Sequence, residues 1–348
     1  NPRNEGFAEL IPLASKKKFD AKTQSTFMTY AIGLASNRDN WVYSFSKETI
    51  GQNMQRMIDF YNAQCEDYQN ALATNPNLSV EDFIDTNPQK ISWTRALRNS
   101  AKKGVNIKYQ DRTIYGLYRP FCKQNLYFED FFIESPGLSK KLFPTPKSKN
   151  LVICLSGIGS SKVFSALITD KIPDLQLMFN GQCFPLYWYE ENKQQGLFVT
   201  EGVDYIRHDG ISDWMLKEVR NRVGNKKITK EMIFYYVYGL LHSPDYRETF
   251  ASDLKKSLPR IPIITDETEW MNFYYAGKTL AELHLNYESV ELCEVTISDT
   301  YAGDDEYEHY AVSKMHFPKK GEQGTIIYND YLRIDDIPAR VYEYVVNG

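Results

Sequence analysis

The stretch from Ile228 to Ser243, ITKEMIFYYVYGLLHS, is apolar almost all the way round a helical wheel. A helix with no polar face has to be enclosed, so the rest of the chain must be arranged around it. Thr229 is a plausible N-cap for this helix, and Ser243-Pro244 places a new cap and a first-turn proline directly after it. The segment that follows, to about Ser257, has the mixed charges of a covering helix, and the two are expected to form a helical hairpin. A helix-turn-helix reader of DNA also joins two helices by a short turn. Burial of the first helix argues against that use. Pro259 and Pro262 end the pair, and Thr265 or Asp266 caps a further helix carrying Trp270, Phe273, Gly277, Leu280 and Leu283.

Elsewhere the periodicity alternates between helix and strand. Ser46 caps a long helix whose stripe runs Ile50, Met54, Met57, Ile58, Tyr61, Tyr68 and Leu72 and ends near Asn75-Pro76. Pro76 to Lys90 reads as a linker, and Trp93 to Lys103, closed by Gly104, as a second helix. Strands are expected at Phe27–Ala35, Thr113–Tyr118, Asn125–Phe128, Leu151–Leu155, Val163–Ile168 and Cys183–Tyr189, with a loop or short helix over Ser135–Asn150. Ser212 to Val223, closed by Gly224, is helical. Later strands are expected around Val290–Ile297, Ala311–Phe317 and Thr325–Tyr328, before a short helix over Ala339–Val346. The fold class is α+β: a strand-rich mixed central region with helical segments at both ends.

Charge is divided along the chain. Residues 90–163 hold fourteen Lys or Arg against four Asp or Glu, whereas residues 264–311 hold twelve acids and only Lys278, in a chain of net charge −4. A basic block in an acidic chain draws a polyanion to one face and repels it elsewhere. Nucleic acid is the first candidate, and two unrelated solvated faces are the alternative. No apolar run approaches the roughly 20 residues of a membrane span, and the segment from Asn1 has no signal-peptide core, so the chain reads as cytoplasmic and away from membranes. Five scattered cysteines, with no CxxC pair, point to free buried thiols instead of a disulfide framework or a zinc site.

Several catalytic patterns come close and fail. Gly157, Gly159, Ser160, Ser161 and Lys162 follow the strand LVICL, but a Walker loop needs a glycine directly before the Lys-Ser pair and a dinucleotide loop needs a small residue where Lys162 stands. A flexible polar turn remains, able to contact a phosphate or a base edge or merely to join two strands. Pro173-Asp174 with Glu191-Asn192-Lys193 mimics a PD-ExK nuclease, in which two acids hold a metal, yet Lys193 sits in a polar NKQQG loop. His208, His242, His284, His309 and His316 never fall at HxxxH spacing. Amino-group methylation needs Asn or Asp before Pro-Pro and an aromatic, and Asn1-Pro2, Asn75-Pro76 and Asn87-Pro88 all lack the second proline. These residues assign no catalytic group and no metal ligand.

Five blocks, IGLASNRDNWVYSFSKETIGQNMQRMIDFYN, YGLYRPFCKQNLYF, FSALITDKIPDLQLMFNGQCFPLY, ITKEMIFYYVYGLLHSPDYRETFASDLKKSLPRIP and IIYNDYLRIDDIPARVYEYVVNG, resemble in order the carboxy-terminal part of Type ISP restriction-modification enzymes. In that family one polypeptide resembles a nuclease, a helicase or translocase, an adenine-N6 methyltransferase and a target recognition domain in series. The resemblance implies that residues 1–104 are the end of the methyltransferase region with a helical spacer. Residues 105–348 would be the target recognition domain, strand-rich over 105–209, helical over 210–285, with strands and a final helix over 286–348. It also implies a piece continued at both ends, with S-adenosylmethionine, ATP and Mg2+ used by the parent enzyme and no cofactor in this part.

The implied partners are double-stranded DNA and the upstream methyltransferase and helicase domains of the same polypeptide. Phosphate contacts would fix register, and a few side chains would read base edges. The lysines for phosphate are Lys102, Lys103, Lys140, Lys141, Lys147 and Lys149. The base-reading candidates are Arg119, Lys123, Gln124 and Asn125, then Ser160, Ser161 and Lys162, then Asn180 and Gln182, because Arg or Lys pairs with guanine and Asn or Gln with adenine. Arg119, beside Pro120 among aromatics, also suits a buried ion pair, and Asn180 and Gln182 also suit a turn around Gly181. A scaffold joining the methyltransferase to the helicase, and a stand-alone nuclease using Asp174 and Glu191, are the competing functions.

Overall fold

In the computed structural model, which describes residues 4–192 and 205–347, the Thr229 hydroxyl accepts from the Met232 amide and opens a helix over Lys230–His242 in which every residue from Ile233 to Leu241 is buried. Its main partner is the helix Glu267–Leu285, not the segment after Ser243-Pro244. The expected hairpin is therefore corrected. That segment breaks at Phe250 into Pro244–Thr249 and Ala251–Leu254, too short to cover the buried helix. The partner helix comes in close because both helices carry glycine at the crossing: a Cβ on Gly277 would lie 2.0 Å from the Tyr235 carbonyl oxygen, and one on Gly239 2.4 Å from that of Phe273. Trp270, fully buried, stacks on Tyr236 with centroids 4.9 Å apart. Asp266 provides the cap, its carboxylate accepting from the Glu269 amide.

Among the described residues of the unit Asn1–Leu285 the strands form two four-stranded sheets and two two-stranded ones, Ile11–Pro12 with Arg260–Ile261 and Tyr187–Glu191 with Tyr205–Asp209. The central sheet runs Ala31–Ile32, Gln182–Pro185, Val152–Leu155, Ala166–Thr169, all antiparallel. Val152–Leu155 and Ala166–Thr169 are buried at every position, which is why they read as continuous apolar runs instead of alternating ones. The second sheet runs Tyr43–Ser44, Cys122–Tyr127, Thr113–Arg119, Ile172–Pro173, with the last pair parallel. The long helix Lys47–Thr74 covers it and buries Ile50, Met54, Met57, Ile58, Tyr61, Cys65 and Tyr68. Ser46 caps that helix by accepting from the Thr49 amide, and Thr94 caps Arg95–Lys102 in the same way through Leu97. Tyr43–Ser44 pairs with Cys122–Tyr127, so the boundary expected at 104/105 falls inside one packed unit.

Where segment and expectation differ, distant backbone decides. Phe27–Ala35 is reduced to the pair Ala31–Ile32 plus isolated bridges, from Phe27 to Ala14 and Ile211, from Leu34 to Asp174 and from Ala35 to Ser135. Cys183–Tyr189 is cut at Leu186, whose amide bonds to the Leu151 carbonyl, and Tyr187–Glu191 leaves to pair with Tyr205–Asp209. The linker Pro76–Lys90 contains a helical turn, Val80–Phe83.

The unit Asn286–Val346 holds a three-stranded sheet in the order Thr296–Asp299, Leu332–Asp335, Ile326–Ile327. Leu332–Asp335 has no counterpart among the expected strands. Ala311–Phe317 contributes only a bridge from His316 to Ile327, and the final helix is one 3-10 turn, Ala339–Glu343. No helix among the described residues is long and apolar enough to cross a membrane.

Candidate nucleic-acid interface

Two of the three predicted base-reading sets meet at one edge of the central sheet. The loop after Val152–Leu155 and the turn before Gln182–Pro185 sit against each other because neighbouring strands deliver them to the same end. The Gly157 amide donates to the Phe179 carbonyl at 3.2 Å, and a Cβ on Gly157 would lie 2.5 Å from the Asn180 carbonyl oxygen. The Gly159 amide donates to the Lys255 carbonyl at 2.9 Å, and the Lys162 amide to the Ser160 hydroxyl at 3.0 Å. On the other side the Gly181 amide donates to Leu175 and the Gly181 carbonyl accepts from Gly33. Backbone bonds thus hold the rim while its side chains project. Ser161 and Lys162 are exposed, Ser160 is half-buried and Asn180 is exposed, its side-chain oxygen accepting from Gln176. Gln182 is half-buried, with its side-chain oxygen enclosed and unpartnered. Gln176 in turn lines a cleft of about 460 Å³ with Ser36, Asn37, Arg38, Ser92 and Asp174.

The third set lies in the other sheet and turns inward. Arg119 donates to the buried Asp174 carboxylate at 2.7 Å and its guanidinium lies 3.8 Å from the Tyr118 ring centre, the ion-pair arrangement that its place among aromatics also suits. Asn125 is buried and its amide donates to the Phe45 carbonyl, which corrects its place among the readers: the strand's inward phase spends the side chain on the fold. Gln124 and Lys123 are half-buried on the same strand, with the Lys123 ammonium 3.5 Å from the Leu285 carbonyl.

Asp174 is the centre of a buried polar network. It accepts from Arg119, from the Tyr43 hydroxyl at 3.2 Å and from the Gln176 amide at 2.8 Å. Burial pushes its carboxyl up to about 6, opposed by the Gln176 bond, raised further by nearby Asp39 and opposed again by Arg119. The same burial, with Asp174 adding to it, drives the Tyr43 hydroxyl up. Glu191 ends a strand of a different sheet and Lys193 lies outside the described residues, so the described residues do not bring the nuclease set together. Among them no group of three His, Cys, Asp or Glu is placed to hold a metal ion.

The phosphate lysines divide. Lys140 and Lys141 stand on the turn Ser139–Leu142, with Lys140 paired to Asp130 and Lys141 over Phe19, whose ring packs on Trp188. Lys147 and Lys149 follow, exposed, ahead of Asn150. All four precede Val152–Leu155, whereas the loop with Lys162 follows it, at the other end of a strand about 10 Å long. Lys102 and Lys103, both exposed, end a helix beside Gln69. Two groups of cations escape sequence reasoning. Lys255 comes beside the rim from the helical region, and the exposed Lys16, Lys17 and Lys18 lead into Phe19 under Lys141. The run Lys16–Lys18 was itself a visible signal.

The frame is mixed α/β, with polar loops presented together on one rim. The chain belongs to the Type ISP C-terminal specificity domain family, whose model matches residues 25–348. Solved structures agree. The chain is 33% identical to a nuclease-deletion mutant of the Type ISP restriction-modification enzyme LlaGI in complex with a DNA substrate mimic, with a TM-score of 0.78, covering 100% of this chain and 29% of that one. The ATP-dependent Type ISP restriction-modification enzyme LlaBIII bound to DNA is 36% identical, with a TM-score of 0.78, over 100% of this chain and 21% of that one. A cryo-electron microscopy structure of a DrdV–DNA complex gives 28% identity and a TM-score of 0.81, over 99% and 32%. No curated protein matches. The chain therefore spans a fifth to a third of the length of the structures it resembles.

Proposed function

We propose that this chain reads the base sequence of double-stranded DNA for a Type ISP restriction-modification enzyme, positioning the duplex for adenine-N6 methylation and cleavage by other domains of the polypeptide. S-adenosylmethionine, ATP and Mg2+ belong to those other domains in this reading. The observation that carries it is the glycine-locked rim where Ser160, Ser161, Lys162, Asn180 and Gln182 meet in a family whose solved relatives are held on DNA. Lysines supply the sequence-independent part of the affinity: Lys140, Lys141, Lys147 and Lys149 at one end of Val152–Leu155, and Lys102 and Lys103 on their helix. Arg119 and Asn125 support the frame and leave base contact to the rim.

The test is binding of the chain to a random-sequence duplex library across a range of salt. Replacing Lys140, Lys141, Lys147 and Lys149 together with alanine is expected to weaken binding to all duplexes alike and to flatten the salt dependence, by about 0.9 in log–log slope per lost phosphate contact. Lys162→Ala or Gln182→Ala is expected to change which sequences are enriched. A chain that binds no duplex even at low salt would instead support a scaffold.

A further inference from the structure

We propose that Phe179 is an apolar wedge that enters the duplex at a base step when DNA is bound, a contact that rests on the recognition reading above. The 3-10 turn Leu175–Met178 buries Leu177 and Met178 and leaves Gln176 exposed, and a right-handed backbone would carry that turn on. Phe179 instead takes a left-handed backbone, φ 49° and ψ 87°, and Asn180 follows at φ 55°. Two successive side-chain-bearing residues in this crowded region are unfavourable, and such strain gathers where a site needs it. Backbone bonds on either side retain it, from the Gly157 amide to the Phe179 carbonyl and from the Gly181 amide to the Leu175 carbonyl.

The result is a phenyl ring 37% exposed on the rim that carries Ser160, Ser161, Lys162 and Asn180, with Ile158, 50% exposed, in the facing loop. A phosphate has no use for a phenyl ring. The face of a base does, and Phe and Ile side chains set among polar neighbours are what proteins push between base pairs to unstack them. Lys162, exposed in the loop whose Gly157 bonds to the Phe179 carbonyl, supplies the charge that keeps the phosphates of the opened step close.

The probe is a duplex enriched from a random-sequence library by the wild-type chain, carrying 2-aminopurine at successive positions. Wild-type chain is expected to raise the fluorescence at one step. Phe179→Ala and Phe179→Gly should both lose that rise and bind about tenfold more weakly, while Phe179→Leu keeps most of both. Glycine suits the left-handed conformation, so Phe179→Gly keeps the turn and removes only the ring. Neither variant should change the salt slope, because no phosphate contact is lost. Thermal midpoints within a few degrees of wild type confirm that the variants fold. Wild-type affinity and an unchanged fluorescence pattern in Phe179→Gly would overturn the wedge and leave the recognition reading standing. Failure of the wild-type chain to enrich any sequence would overturn both.

Discussion

Backbones nearly touch in two regions of this molecule, and the two put the same device to opposite uses. Where Lys230–His242 crosses Glu267–Leu285, Gly239 and Gly277 let two helices meet so that Trp270 and Tyr236 stack in a closed core. Where the loop at Gly157 meets the turn at Asn180, glycine again removes a Cβ, but the side chains around it project outward. The first contact spends its neighbours on stability. The second is held mainly by main-chain bonds, Gly157 to Phe179, Gly159 to Lys255 and Gly181 to Leu175, with the Ser160 hydroxyl and the Asn180 side-chain oxygen accepting one each.

Substitution at the two glycine contacts tests that contrast most severely. Gly277→Ala places a Cβ 2.0 Å from the Tyr235 carbonyl oxygen and 2.7 Å from the Gly239 nitrogen, backbone on both counts. A loss of more than about 4 kcal/mol is expected, read as absence of a cooperative thermal transition. Gly157→Ala meets the Asn180 carbonyl oxygen at 2.5 Å, in an exposed loop that can shift. A cost of about 2 kcal/mol is expected with a larger loss of sequence discrimination than of stability. Equal unfolding by both would erase the distinction.

A smaller effect separates the regions by pH. His242 and His284, 5.7 Å apart between centroids behind the buried helix, are both pushed down to about 4, His242 chiefly by burial and also by Arg247, and His284 by burial. The unfolded imidazoles take up protons below about 6.5 and the folded ones only near 4, so stability falls as the pH drops through that window. At pH 5 the loss from His242 is about 2 kcal/mol. Asp174, raised to about 6 in the fold, works the other way, regaining stability as the pH falls below 6, and offsets part of the loss. Urea unfolding should show a lower midpoint at pH 5 than at pH 7, and a weaker drop in His242→Asn. The smallest change is expected from the four-lysine replacement at 140, 141, 147 and 149, with stability altered by about 0.5 kcal/mol or less while duplex affinity falls.

Local signals carried much of the secondary structure. Ser46 and Thr229 each accept a hydrogen bond from the amide three residues on, as their positions before apolar-periodic runs imply, whereas the helices read from Trp93 and Ser212 begin one or two residues later, capped by Thr94 and Ser212. Gly104 and Gly224 close their helices with positive φ, and the seven buried positions of Lys47–Thr74 include six of the seven read from its stripe. The site was legible in part. The loop at Ser160–Lys162 and the turn at Asn180 were visible as polar glycine-containing segments, but their meeting was not. Arg119 and Asn125 have the chemistry of base readers, but the fold bonds the first to Asp174 and the second, buried, to the Phe45 carbonyl.

The sequence by itself determined the caps at Ser46 and Thr229, the enclosed helix and the apolar strands of the central sheet, because caps, stripes and burial of an apolar face depend on residues within a turn or two of one another. Only the tertiary structure decided which helix covers Lys230–His242, how the run of lysines between 90 and 163 is parted by a four-residue strand, and that Lys255 joins the rim. Those outcomes depend on how closely backbones far apart in the chain can approach. A missing Cβ at Gly157 or Gly277 permits that approach, but nothing near either glycine in the sequence names the segment that will arrive.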